Sequence, residues 1–207
     1  MSDASRRGGI VLGLVGPVCA GKSAVSRRLR ELGAEIYEAD AIVRSLYERP
    51  DVQEAVRALF GDGVLLPTGE INRPTIASRI FADAELRRRL TDEIIFPRTG
   101  ELLQSQLVEF RGRAGATDVL VLDAPTLFEA SRADWCDQIL LVSAPLDRRR
   151  EWATTRGWDP GELDRRDAAM LPEAGKRQRA HFVIENTGSL ADLSKAVDEI
   201  WRKLAEN

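Results

Sequence analysis

The chain has 207 residues, of which 43% are hydrophobic and 30% charged, with a net charge of −3. That length supports one domain, or one core with a small excursion, and buries roughly 70% of the unfolded surface without disulfide staples. The charge balance gives no electrostatic case for a nucleic-acid partner, and runs such as Ile10 to Val15 and Ile139 to Val142 are far too short to cross a bilayer. Two cysteines, Cys19 and Cys136, are too few for a disulfide framework. The expectation is a chain of the reduced cytoplasm with neither nucleic-acid nor membrane partner, a monomer or at most a weak oligomer. The polar opening MSDASRRGG lacks the apolar stretch of a secretion signal and reads as a frayed leader.

In chain order, the first element is an apolar strand, Ile10 to Val15. A helix follows over about Lys22 to Leu32, with Val25, Leu29 and Leu32 on one face and Gly33 as its stop. A short second strand covers Ala34 to Tyr37. From Asp40 to Thr117 the pattern is helix and turn with no core strand. Asp51 to Phe60 is one helix closed by Gly61, Asn72 with Pro74 opens another, and Asp83 opens a long one reaching about Phe110 that Pro97 kinks. Strands return at Asp118 to Leu122 and Gln138 to Ser143. The arginine-rich stretch Leu146 to Arg179 reads as two or three short helices, one of them started by Asp159, Pro160 and Glu162. A fifth strand, His181 to Ile184, precedes a last helix capped by Ser189 and Asp192, with Leu190, Leu193, Val197, Ile200 and Leu204 along one face. Near-continuous Val, Ile and Leu in the strands, alternating with helices, predicts an α/β fold with a parallel sheet.

The strongest motif is GPVCAGKS, Gly16 to Ser23. It matches G-x-x-x-x-G-K-[ST] between a strand and a helix, the context such a phosphate loop requires. Gly16 and Gly21 let the backbone turn its N–H groups inward. Val18, Cys19, Ala20 and Ala24 supply further backbone to the wrap, and the following helix aims the positive end of its dipole at the anion. Lys22 is placed for the β- and γ-phosphates of ATP and the Ser23 hydroxyl for Mg²⁺. Asp123 ends the apolar run VLVLD, where it can hold the Mg²⁺ shell or cap a helix. Asp40 follows the second strand, where it can take a proton from an attacking hydroxyl, cap the helix Ala41 to Tyr47, or do both. The lone His181 reads as structural. Cysteine or histidine metal ligation has no support, because neither cysteine has a partner at ligand spacing.

These segments together resemble the dephospho-coenzyme A kinase family. GLVGPVCAGKS, Gly13 to Ser23, is similar to its G-L-T-G-G-I-G-S-G-K-S opening, and EADAI, Glu38 to Ile42, to its D-A-D-x-I segment. GEINR at Gly69 to Arg73, IFADAELRRRL at Ile80 to Leu90, LDAPTLFE at Leu122 to Glu129 and KRQRAHFVIENTGS at Lys176 to Ser189 follow in the family's order. The chain departs from the family pattern at Pro17, Cys19, Glu38, Arg44, Phe96, Trp152 and His181, and keeps Lys22, Ser23, Asp40 and Asp123. The resemblance implies a P-loop core of five parallel strands. It implies a helical coenzyme A subdomain at Val52 to about Phe110, with Arg73 on the acceptor, and a helical lid at Leu146 to Arg179. Asn186 would lie near the adenine, with Arg156 closing from the lid and Asp40 as catalytic base. The implied reaction moves the γ-phosphate of ATP, with Mg²⁺, to the ribose 3′-hydroxyl of dephospho-coenzyme A. A kinase for another acceptor, such as a nucleoside monophosphate, and a nucleotide-binding regulator without turnover are the alternatives.

Overall fold

A computed structural model of the chain describes residues 9–115, 118–159 and 161–206. Apart from Gly9, the expected leader lies outside the described residues, as do Thr117 and Pro160. The chain divides into two compact units, one of Met1–Glu38 with Glu109–Asn207 and one of Ala39–Val108.

The first unit is built on a five-stranded sheet of order β2-β3-β1-β4-β5, parallel at every pairing. Its strands are β1 Ile10–Val15, β2 Glu35–Glu38, β3 Val119–Asp123, β4 Gln138–Ser143 and β5 Phe182–Glu185. Leu12, Leu14, Val121, Leu140 and Val142 are fully buried within it, as expected of strands covered on both faces. β2, β3 and β5 each begin one residue later than their apolar runs. His181 shows why for β5. Its N–H donates to Ile139 O at 2.9 Å and its Nδ1 accepts from Ile139 N at 3.0 Å, so it closes the ladder edge rather than extending the strand, which is the structural role expected of it.

Helices cover the sheet. α1, Lys22–Glu31, buries Val25 and Leu29, and α10, Leu190–Ala205, buries Leu193, Val197, Ile200 and Leu204. Each fully buried leucine or valine in this layer contributes roughly 1.5–3 kcal/mol. The expected cap of α10 is a complete capping box. Ser189 Oγ accepts from Asp192 N at 3.2 Å, and Asp192 Oδ2 accepts from Ser189 N at 2.9 Å. Between β4 and β5 run three short helices, which from here on are α7 Leu146–Thr155, α8 Glu162–Ala168 and α9 Glu173–Arg179. Asp159 Oδ1 accepts from Gly161 N at 2.9 Å just ahead of α8.

The second unit is helical, with α2 Ala39–Leu46, α3 Pro50–Phe60, α4 Arg73–Ala82 and α5 Ala84–Arg89. It has its own core, including Leu46, Val52, Val56, Ile76, Leu90 and Ile94. Asn72 caps α4 by accepting from Thr75 N at 3.2 Å, and Gly61 ends α3 at φ 74°, ψ 179°, a backbone region open essentially to glycine alone. An isolated bridge, Leu65 to Ile71, closes the turn before α4. The helix expected from Asp83 to about Phe110 is not one α-helix. α5 gives way to a π-helical turn, Leu90–Ile95, and then to α6, Phe96–Arg113. The cause is Pro97, which has no N–H for the carbonyl four residues earlier and whose ring crowds it. The wider turn absorbs the mismatch, and Pro97 falls at the second position of α6, where a missing N–H costs nothing.

Candidate active site

The phosphate loop owes its shape to two glycines with no room for a side chain. Gly16 has φ +155°, and a Cβ there would lie 2.2 Å from Val142 O, so β4 excludes every other residue. Gly21 has φ +102°, and a Cβ there would lie 2.4 Å from Asn186 Nδ2. Asn186 is 6% exposed and donates through Nδ2 to Ala20 O at 3.0 Å, which fixes the second half of the loop to the segment after β5. Lys22 Nζ donates to Gly16 O at 2.9 Å and to Pro17 O at 3.0 Å. The ammonium thus bridges the opening of the loop from inside the turn.

Beside the loop lies a cleft of about 410 Å³ lined by Cys19, Gly21, Ser23, Ala24, Arg156 and Asn186. These are sequence-predicted nucleotide residues gathered by β1, α1, α7 and the turn after β5. Gly16, Val18, Ala20 and Lys22 form the loop itself but do not line the cleft. Arg156 Nη1 lies 3.5 Å from Cys19 Sγ, and its guanidinium lies 5.9 Å from the Trp158 ring centroid. The cleft also contains a pair that sequence reasoning did not assign to it. Arg148 lies 5.0 Å from the Trp152 ring centroid and donates to Gly188 O at 2.5 Å. In the sequence, Leu146 to Arg179 reads only as short arginine-rich helices, so the signal for this pair is no more than an arginine and a tryptophan at helical spacing.

Asp123 is the last residue of β3, half-buried. Its Cα is registered with Leu14 of β1, two residues before the loop, and with Glu38 of β2. Asp40 is exposed in the first turn of α2. That helix starts at Ala39, so Asp40 is inside the first turn and is not the N-cap. Its carboxylate complements the dipole there instead. Arg73 is exposed at the first position of α4, 5.8 Å from the Tyr47 ring centroid. Burial pushes the Tyr47 hydroxyl above its usual range, with Arg73 pulling the other way. Asp40 and Arg73 both belong to the helical unit and the nucleotide candidates to the sheet unit.

The KRQRA segment supplies Lys176, which is 1% exposed. Its Nζ donates to Pro125 O at 3.0 Å and lies 3.5 Å from Glu129 Oε1. Burial lowers the ammonium pKa and Glu129 raises it in part. The lysine ties the LDAPTLFE turn to α9 from below. Among the described residues, no group of three or more histidine, cysteine, aspartate or glutamate side chains is placed to hold a metal.

The family model described as dephospho-CoA kinase matches residues 10–192. The chain belongs to the dephospho-CoA kinase family. A dephospho-CoA kinase of Corynebacterium jeikeium is 37% identical over 93% of this chain and 98% of its own length. One of Geobacter sulfurreducens is 35% identical over 93% and 98%. Among solved structures, a Thermus thermophilus protein superposes with a TM-score of 0.79 at 32% identity, covering 95% of this chain and 98% of that one. A Campylobacter jejuni dephospho-CoA kinase, at 14% identity and a TM-score of 0.63, shares the fold. So does an Acinetobacter baumannii shikimate kinase, at 16% and 0.54. As a dephospho-CoA kinase family member the chain is a transferase with ATP as co-substrate. Among its described residues no helix is long and apolar enough to cross a membrane.

Proposed function

We propose that the chain transfers the γ-phosphoryl group of ATP to the ribose 3′-hydroxyl of dephospho-coenzyme A, giving coenzyme A and ADP. The observation that carries the reading is the family match over residues 10–192, within which the phosphate loop, Asp40 and Asp123 all fall. ATP occupies the cleft beside the loop, with Asn186 toward the base and Arg156 over the phosphates. Lys22 leaves its two loop carbonyls for the β- and γ-oxygens. Asp40 takes the proton of the 3′-hydroxyl, and Arg73 holds the acceptor within the helical unit. Most of the barrier reduction then comes from positioning and charge neutralisation. Both cysteines are free, which suits the reduced cytoplasm.

The donor set fits Mg²⁺. Ser23 presents an exposed hydroxyl at the start of α1 and Asp123 a carboxylate at the end of β3. Magnesium is held by one or two carboxylates with substrate phosphates and water rather than by a dedicated protein cage. When bound, the ion would neutralise charge on the phosphate oxygens. Chelation with EDTA is expected to bring ADP release in the presence of dephospho-coenzyme A to background, and excess MgCl₂ to restore it. Full turnover in EDTA would contradict the assignment.

Arg73 separates the two substrates. Arg73→Ala is expected to raise the KM for dephospho-coenzyme A about tenfold, the size of one lost charge-assisted hydrogen bond. The KM for ATP should stay within twofold. Equal rises in both, measured by steady-state kinetics, would make Arg73 a structural partner of Tyr47 alone.

A further inference from the structure

Val18, near the tip of the phosphate loop, is held by two side chains from the helical segment between β4 and β5. Arg149 of α7 is 6% exposed and donates through Nε to Val18 O at 2.7 Å. Its Nη2 donates to Asp167 Oδ2. The other oxygen of Asp167, which is in α8, accepts from Val18 N at 3.3 Å. The three groups form a closed ring in which both backbone polar groups of one loop residue are satisfied from outside the loop. A second observation stands apart from the ring. Cys19, Ala153 and Leu163 form a small buried cluster with Val18, Trp152 and Trp158 packed against it, so α7 and α8 also grip the loop through apolar contact.

The local sequence explains the need. A phosphate loop works because its backbone is fixed before the anion arrives, yet this loop contains Pro17 and Cys19. Pro17 contributes no N–H. Cys19 sits at φ +59°, in the left-handed region that costs an ordinary L-residue roughly 1–2 kcal/mol. A loop with this composition does not hold its shape by glycine geometry alone.

We propose that Arg149 and Asp167 are positioning residues for ATP, fixing the Val18 peptide so that the rest of the loop stands ready for the phosphates. They act through the loop, not on the nucleotide. The proposal rests on the reading of Gly16 to Ser23 as the ATP loop. It further implies that α7 and α8 move with the loop as one block.

The test separates positioning from stability. Asp167→Ala strands the buried Arg149 charge, so it lowers the melting temperature whichever role is correct. The double variant Arg149→Met/Asp167→Leu buries no charge, and such apolar replacement of a buried pair is often neutral or stabilising. It carries the test even if Asp167→Ala does not fold. ATP affinity is read by calorimetric titration with no acceptor present. The proposal expects a Kd for ATP about tenfold higher, or more, in both variants, including the double variant with its melting temperature restored. A double variant whose Kd lies within twofold of wild type overturns the proposal and leaves the ring a purely stabilising feature. A wild-type chain that binds ATP but leaves dephospho-coenzyme A unphosphorylated overturns the acceptor assignment instead and does not touch this result.

Discussion

Lys22→Ala is expected to cut turnover to about a hundredth of wild type or less, the usual loss for one preorganised contact to a transferring group. The melting temperature should fall by no more than about 4–8 °C. Within the loop Lys22 donates to Gly16 O and Pro17 O. The net worth of these hydrogen bonds is about 1 kcal/mol each, and water takes over both carbonyls once the side chain is gone. The glycine backbone and the Asn186 bond to Ala20 O remain to hold the turn. What disappears is the one loop ammonium available to the β- and γ-phosphates. A coupled ADP assay with a thermal melt checks both halves. A folded variant keeping more than about a tenth of wild-type activity would remove Lys22 from the chemistry.

Asp40→Asn is expected to lower kcat by about 10²- to 10⁴-fold, the range for loss of a general base. ATP affinity should stay within a few-fold. The carboxylate is exposed and in the first turn of α2, so neutralising it costs the fold only about 0.3–1 kcal/mol of helix-dipole complement. A change that small cannot explain a large kinetic loss, which makes the variant a clean discriminator. If Asp40 serves only the helix, kcat stays within threefold of wild type, and Asp123 becomes the next candidate base. Steady-state kinetics beside a thermal melt separate the outcomes.

The parts of the molecule legible in the sequence are those fixed by neighbours in the chain. The loop from Gly16 to Ser23 could be read because strand, turn and helix lie within a few residues of each other. The cap at Ser189 and Asp192 was legible for the same reason, as was the Asn72 start of α4. The π-turn at Leu90–Ile95 was not, because Pro97 announces a disturbance but does not say whether the helix kinks, breaks or widens. Tertiary pairing was invisible. Arg149 reaches Val18 across a sequence separation of 131, and Asp167 reaches it across 149. Among so many arginines, nothing in the pattern distinguishes the buried Arg149 from its solvated neighbours. Arg148 and Trp152 were hidden likewise, since their value comes from facing Gly188 and Asn186 across the cleft. The role of Arg73 came from family resemblance alone, and that of Asp40 from its place after the second strand together with the resemblance. Their own surroundings show an exposed carboxylate and an exposed guanidinium, each at a helix start.

This phosphate loop serves dephospho-coenzyme A. The most direct measurement is kcat/KM with ATP for dephospho-coenzyme A beside AMP, CMP and adenosine under identical conditions, with the phosphorylated position in the product assigned by NMR. A site that recognises the whole acceptor rejects analogues lacking its polar groups by about 10⁴-fold. A preference of that order for dephospho-coenzyme A is therefore expected, with one ADP released per coenzyme A formed and phosphate on the 3′-oxygen. Comparable kcat/KM on a nucleoside monophosphate, or ATP binding with no phosphorylation of dephospho-coenzyme A, would contradict it.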